Sequence, residues 1–276
     1  MRSYILYFAL TIAAIPAVLS CSRDRHSCTS SAVEAVVADS LLPQSVKTLV
    51  SAINDSDSVA FASLVSYPLL RPYPLHDIPD ARAMSDYYHI LVDDSLRNIV
   101  TGAAPERWQR FGWRGWSLDD GRYIWLDDSV YSVEYLSGVE QRLLAQLRDN
   151  EIESLDPSLR GNWTPVACLR AVGSPAVYRI DMSRDKNDRP IYRLAGWASH
   201  DDMNKAPEMI MTGYVDVEGS AAMTSYSFSA PDGSTAFYQA DVADGSAPAI
   251  LFSSPVTGES EIAVEPAYWL DILKNE

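Results

Sequence analysis

Apolar residues recur at helical spacing through the first half of the chain and at strand spacing through the second. In "LPQSVKTLVSAINDSDSVAFASLVSYP", residues 42–68, Val46, Leu49, Val50 and Ile53 fall three or four apart and predict a helix. Asp55 or Ser56 then restarts the chain as an N-cap, and Val59, Phe61, Leu64 and Val65 carry the apolar face of a second helix. Pro68 stops it, because the residue before a proline avoids the α region. "YPLLRPYPL", 67–75, holds three prolines and must be extended, on an edge or as a lining loop. "DARAMSDYYHILVDDSLRNIVTG", 80–102, predicts two short helices parted near Asp93-Asp94 and closed by Gly102. "VYSVEYLS", 130–137, predicts a strand, and "GVEQRLLAQLRDNEIESL", 138–155, a helix with Val139, Leu143, Leu144 and Leu147 on one face.

From about Asp156 the pattern becomes short alternating runs divided by Gly, Pro, Asn and Asp. Seven such runs, "WTPVACLRA", "AVYRIDMS", "PIYRLAGWA", "EMIMTGYVDV", "MTSYSFSA", "STAFYQADV" and "APAILFSS", predict strands, with an eighth near "SEIAVE". Turn residues at such regular intervals predict an antiparallel barrel or sandwich. The fold class expected is therefore α+β over residues 41–155, helices packed on a curved antiparallel sheet, followed by an all-β domain over 156–276.

The densest aromatic stretch is "FGWRGWSLDDGRYIWLDD", 111–128, with three of the seven Trp in the chain. Its Asp-Gly turn predicts a hairpin. Strand alternation would set Phe111, Trp113 and Gly115 on one face and Gly112, Arg114 and Trp116 on the other. Both faces then carry aromatics, as a ribbon covered on both sides would. Core packing accounts for most of these rings. It leaves Arg114, between Trp113 and Trp116 with a glycine on each side, as a group that could stack on a ring and reach an anion or carboxylate. Trp113, Arg114, Trp116 and the proline-flanked Tyr73 are the candidate ligand-binding residues.

The amino terminus changes the picture of where this body works. Arg2 precedes an apolar run from Tyr4 to Leu19, broken by Thr11 and Pro16, and the run closes on "VLSC". This is the pattern of a secretory signal over residues 1–20, with an ordinary signal peptide and a coincidental Cys as the plain alternative. With Cys21 directly after a small residue, the segment resembles the lipobox of bacterial lipoproteins. The resemblance implies that Cys21 is lipidated and that acyl chains, each CH₂ worth ~0.8 kcal/mol, anchor the chain without a membrane-spanning helix. With Ser22 rather than Asp after the Cys and no acidic run following, the same resemblance implies the outer membrane and its periplasmic face. Residues 21–40 are small and polar and make a flexible tether.

The formal net charge of −15 argues against nucleic acid, which needs a basic patch. Beyond Cys21 there remain Cys28, in the tether, and Cys168, in the apolar run "PVACL", where a buried thiol is expected over a disulfide. No GxSxG, HExxH, P-loop or GxGxxG motif occurs, and no Cys/His spacing suggests a metal. "DSDS" at 55–58, "DKND" at 185–188 and "SHDDMN" at 199–204 are expected to be polar turns. No cofactor is implied.

Residues 43–150 resemble two things. Their helix–extended–helix–hairpin order is similar to the nuclear transport factor 2-like cone. Tyr67-Pro68-Leu69, Tyr73-Pro74-Leu75, Trp113-Arg114-Gly115, Leu118, Asp120-Gly121 and Trp125 resemble a motif set of uncharacterised Gram-negative bacterial lipoproteins. Some enzymes of the cone fold use a pocket Tyr, Asp or His as acid or base, which makes Asp86, Tyr88 and His89 the catalytic candidates here. Two functional classes follow. One is a non-catalytic envelope module that binds a protein, peptide or glycan; the other is an enzyme working in the pocket of the first domain.

Overall fold

The computed structural model describes residues 42–218, 223–240 and 248–268. The signal segment 1–20, Cys21, the tether and Cys28 lie outside the described residues.

Residues 44–154 carry the helices α1 (Gln44–Asn54), α2 (Ser58–Ser63), α3 (Ala81–Leu91), α4 (Asp94–Thr101) and α5 (Gly138–Ser154). Between α4 and α5 run the strands β1 (Trp108–Arg110), β2 (Trp116–Leu118), β3 (Ile124–Leu126) and β4 (Val130–Val133). They form one antiparallel sheet in sequence order. The restart expected at Asp55 or Ser56 falls instead on Asp57, whose carboxylate accepts from the Val59 and Ala60 amides. Asp80 and Asp93 cap α3 and α4 in the same way. Part of the acidic patterning is thus spent on orphan amides at helix starts.

The apolar faces of α1–α4 meet one face of this sheet. Leu49, Ile53, Phe61, Met84, Tyr88 and Leu96 pack with Trp108, Leu118, Ile124, Leu126, Val130 and Val133. The segment 67–75, expected to be extended, is so only in its middle: Leu69 bridges Ile78, and Leu75 N–H closes a turn on the Pro72 carbonyl at 2.9 Å, with cis peptide bonds at Tyr67-Pro68 and Tyr73-Pro74. From it Arg71 turns inward and grips Glu140 of α5, Nε to Oε1 and Nη2 to Oε2, each at 2.9 Å. Its remaining donors reach the carbonyls of Val133 and Tyr135. Glu140 is also the third residue of a capping box with Ser137. The buried stripe of α5 is therefore Glu140, Leu144, Leu147 and Glu151, and Val139, expected on the apolar face, is exposed.

The second half is a closed eight-stranded barrel, β5 (Thr164–Ala171), β6 (Val177–Arg184), β7 (Pro190–Trp197), β8 (Met209–Glu218), β9 (Met223–Ser229), β10 (Thr235–Gln239), β11 (Ala249–Ser254) and β12 (Gly258–Pro266). Each strand pairs antiparallel with the next, and β12 closes on β5 through Val264↔Ala171. The eighth run, near "SEIAVE", completes the ring. Leu169, Tyr178, Ile180, Leu194, Met211, Tyr226, Phe228, Tyr238 and Ile250 form its core, as side chains do in barrels of this size.

The outer face of β5–β7 is covered as well. Val177, Ala195 and Trp197 pack with Leu155, Leu159, Met203 and Ala267, and Tyr73 joins them. Cys168 is buried in this layer as a thiol outside any disulfide. A chain of buried charges crosses the layer. Tyr73 donates to Glu151 at 2.7 Å, and Arg179 donates to Glu151 at 2.8 Å and to Asp181 at 2.7 Å. Arg193 donates to the other Asp181 oxygen at 2.7 Å, with the Trp163 ring stacked 4.4 Å from its guanidinium. Burial pushes the Tyr73 phenol up, so it stays a neutral donor. Among the described residues no helix is long and apolar enough to cross a membrane, which leaves the question of strands untouched.

Candidate functional site

The first strand of the expected hairpin begins later than alternation suggests. β2 pairs with β3, Trp116↔Leu126 and Ser117↔Trp125, around the Asp119-Asp120-Gly121 turn, all three with positive φ. Residues 111–115 do not join it. Gly112–Arg114 is a single 3-10 turn, and Gly112 (φ 54°) and Gly115 (φ 78°) supply the left-handed backbone on either side. Trp113 and Arg114 therefore sit at the tip of a second hairpin, between β1 and β2, rather than on opposite faces of a strand.

That tip is held at several points. Phe111 N–H donates to the Gly115 carbonyl at 2.7 Å, Arg114 N–H to Phe111 at 3.0 Å, and the Tyr131 hydroxyl to the Arg114 carbonyl at 2.8 Å. Gly115 lies so close to β3 that a Cβ there would stand 2.4 Å from the Leu126 carbonyl oxygen. Arg114 lies 5.5 Å from the centroid of the Trp113 ring. The Trp113 side chain is nonetheless 70 % exposed, an unusual fate for an indole on a fixed turn.

Below the tip lies the sheet face opposite the helices. The register slips between Trp125 and Leu126, so that Leu126 pairs with Val130 and Trp125 with Ser132. This bulge leaves Tyr131 and Ser132 both outside the core while Val130 and Val133 remain inside it. Trp125 lies between Phe111, 5.2 Å away by ring centroids, and Tyr131, 6.4 Å away. The result is an open groove of about 560 Å³ lined by Trp113, Arg114, Trp125, Asp127, Tyr131, Ser132 and Glu134. Burial pushes the Tyr131 phenol up, Arg114 pulling the other way and Asp127 adding to the rise, so its hydroxyl is a donor at neutral pH. The groove offers aromatic faces, one guanidinium and two carboxylates, groups that can stack on and hydrogen-bond a ligand.

The other candidates lie elsewhere. Trp116 is half-buried, packs on the helix–sheet core and is not part of the groove lining. Tyr73 lies in the layer between helices and barrel, bonded to Glu151. Tyr88 is fully buried, edge-on to Phe61, while Asp86 and His89 of the same helix are exposed. Tyr88 and the neighbouring His89 stand edge-on, 5.2 Å between ring centroids, and none of the three lines the groove. Asp185, in "DKND", accepts from the Asn187 and Arg189 amides, as a turn residue does. Among the described residues no group of three or more His, Cys, Asp or Glu is placed to hold a metal ion.

A second concavity, of about 700 Å³, lies along β8–β12. Its floor includes the cross-strand row Tyr214, Ser227, Phe237, Leu251 and Glu261. It is a sheet face with an apolar strip and a glutamate rim, and among the described residues no Lys or Arg lines it. Trp125 entered the sequence reading only through the motif set, and Asp127, Tyr131, Ser132 and Glu134 were not singled out; the spacing of Gly112 and Gly115 is the signal that could have marked the turn. No family model, no curated protein and no solved structure matches this chain.

Proposed function

We propose that this protein is a lipid-anchored envelope module, held at Cys21 to the outer membrane on its periplasmic side. Its folded body binds or scaffolds a protein, peptide or glycan partner without catalysis. The observation that carries the reading is Trp113, a mostly exposed indole on a turn pinned at both ends, beside Arg114 and above Trp125 and Tyr131. Burying an aromatic side chain is worth roughly 1.5–3 kcal/mol, so an exposed ring already ordered has that free energy available for a partner. The lipobox-like start and the small polar tether support the anchoring part. The helix–extended–helix–sheet order of residues 43–150 supports a cone-like ancestry, with its interior occupied by packed side chains such as Tyr88 and Phe61. For the catalytic alternative, Tyr88 touches His89 edge-on but is buried, whereas Asp86 and His89 are exposed, and none of the three lines the groove.

The test combines radiolabelled palmitate incorporation with in-cell crosslinking and mass spectrometry of the recovered envelope. Label lost in Cys21→Ser, and a reproducible adduct lost in both Cys21→Ser and Trp113→Ala, is the expected result. Label unaffected by Cys21→Ser overturns the anchor, and an adduct indifferent to Trp113 overturns the groove.

A further inference from the structure

We infer that the Trp113–Trp125–Tyr131 groove takes a neutral carbohydrate, stacked on its rings and hydrogen-bonded by Arg114, Ser132, Asp127 and Glu134. This rests on the binding-module reading and names the ligand class of that same site.

The charge of the lining narrows the choice first. Two carboxylates, Asp127 and Glu134, stand against one guanidinium, Arg114, in a chain of formal net charge −15. Phosphate, sulfate or uronate ligands meet repulsion there. Ionised carboxylates only accept hydrogen bonds, so they call for a ligand rich in donors. Hydroxyl groups are such donors, and bonds to a charged acceptor are about twice as strong as neutral ones. Arg114 supplies the complementary donor for ring and hydroxyl oxygens.

The apolar part of the site fits the same ligand. A pyranose ring has a C–H face that packs flat on an indole or phenol, with its hydroxyls around the edge. The groove repeats this division, with aromatic surface from Trp113, Trp125 and Tyr131 and polar groups beside it. An extended peptide would look instead for an open strand edge. On the β4 side that edge is occupied at Val130, whose carbonyl accepts from Ser66 N–H and whose N–H donates to the Leu64 carbonyl. The bulge that puts both Tyr131 and Ser132 outside the core provides a ring and a hydroxyl side by side.

The experiment is isothermal titration of the full lipidated chain, in a sugar-free detergent, with cellohexaose, xylohexaose, maltohexaose and N-acetylchitohexaose. Hexa-arginine and polygalacturonate serve as charged controls. Binding of at least one neutral hexaose, little changed by salt and weakened about tenfold or more in Trp113→Ala, is expected. If none of the four binds but hexa-arginine does, in a salt-sensitive and Trp113-dependent way, the carbohydrate inference is overturned and the binding module stands. A hexaose that binds Trp113→Ala and Trp125→Ala as well as the native chain also overturns it. If no probe binds and the in-cell adduct ignores Trp113, both fail together.

Discussion

Glu151, in the last turn of α5, accepts a 2.8 Å hydrogen bond from Arg179 on β6, and both side chains are buried. The bond ties the helical lobe to the outside of the barrel. It belongs to a set of two cations, Arg179 and Arg193, and two anions, Glu151 and Asp181. Removing one member leaves a buried charge without its counterion. Glu151→Gln is therefore expected to lower unfolding stability by about 3–5 kcal/mol. The double variant Glu151→Leu/Arg179→Met leaves Asp181 and Arg193 paired, and should cost clearly less than the two single changes added together. Denaturant melts of the four proteins give this comparison directly.

The two neighbouring tryptophans should separate fold from function. Trp116→Ala removes a ring packed on the core and is expected to cost about 3 kcal/mol or more. Trp113→Ala should leave stability within about 0.5 kcal/mol, as exposed positions do. Equal destabilisation in thermal melts would make Trp113 a structural residue and remove it from the site.

Gly115 holds the turn in place by having no side chain. At φ 78°, and with a Cβ that would strike the Leu126 carbonyl oxygen, Gly115→Ala should cost more than about 1 kcal/mol and shift the tip off β3. The same variant should weaken whatever the groove binds. Gly112→Ala, also at positive φ but with open space around its Cβ, should be milder in both assays.

Asp93 gives the chain an acid-sensitive joint. It caps α4 through Leu96, accepts from the Gly138 amide at the start of α5, and takes the Tyr135 hydroxyl. Partial burial opposes its ionisation, but these bonds outweigh it and hold the carboxyl below its ordinary value. A depressed native pKa stabilises above the unfolded value, about 3.9, and the contribution is lost as pH falls through the native one. Asp93→Ala should thus cost about 1–2 kcal/mol at pH 7. Urea melts at pH 7 and pH 3 should show the difference from the native chain shrinking in acid.

How legible all this was depended on what each pattern encodes. The barrel was readable strand by strand, because period-two alternation and turn residues are local signals, and β5–β12 fall on the eight runs. Arg179, Asp181 and Arg193 occupy the polar positions of such alternating runs. Alternation separates the two faces of a strand without telling whether a distant element covers the polar one. Glu140 and Glu151 were hidden for the same reason, since helical periodicity counts apolar residues and their buried partners lie 69 and 28 positions away. In the aromatic stretch, alternation was applied across Gly112 and Gly115, where the chain turns instead. The bulge at Tyr131 had no sequence signature, so most of the groove lining was not among the candidate site residues.

The most direct measurement of the groove as the working surface is site-specific photocrosslinking in cells. A photoreactive residue at Asp128, exposed beside the groove, is compared with one at Val256, 91 % exposed on the β11–β12 turn of the barrel. A discrete adduct from position 128, lost when Trp113→Ala is added and absent from position 256, is expected. Adducts from position 256 alone, or from position 128 irrespective of Trp113, would contradict it.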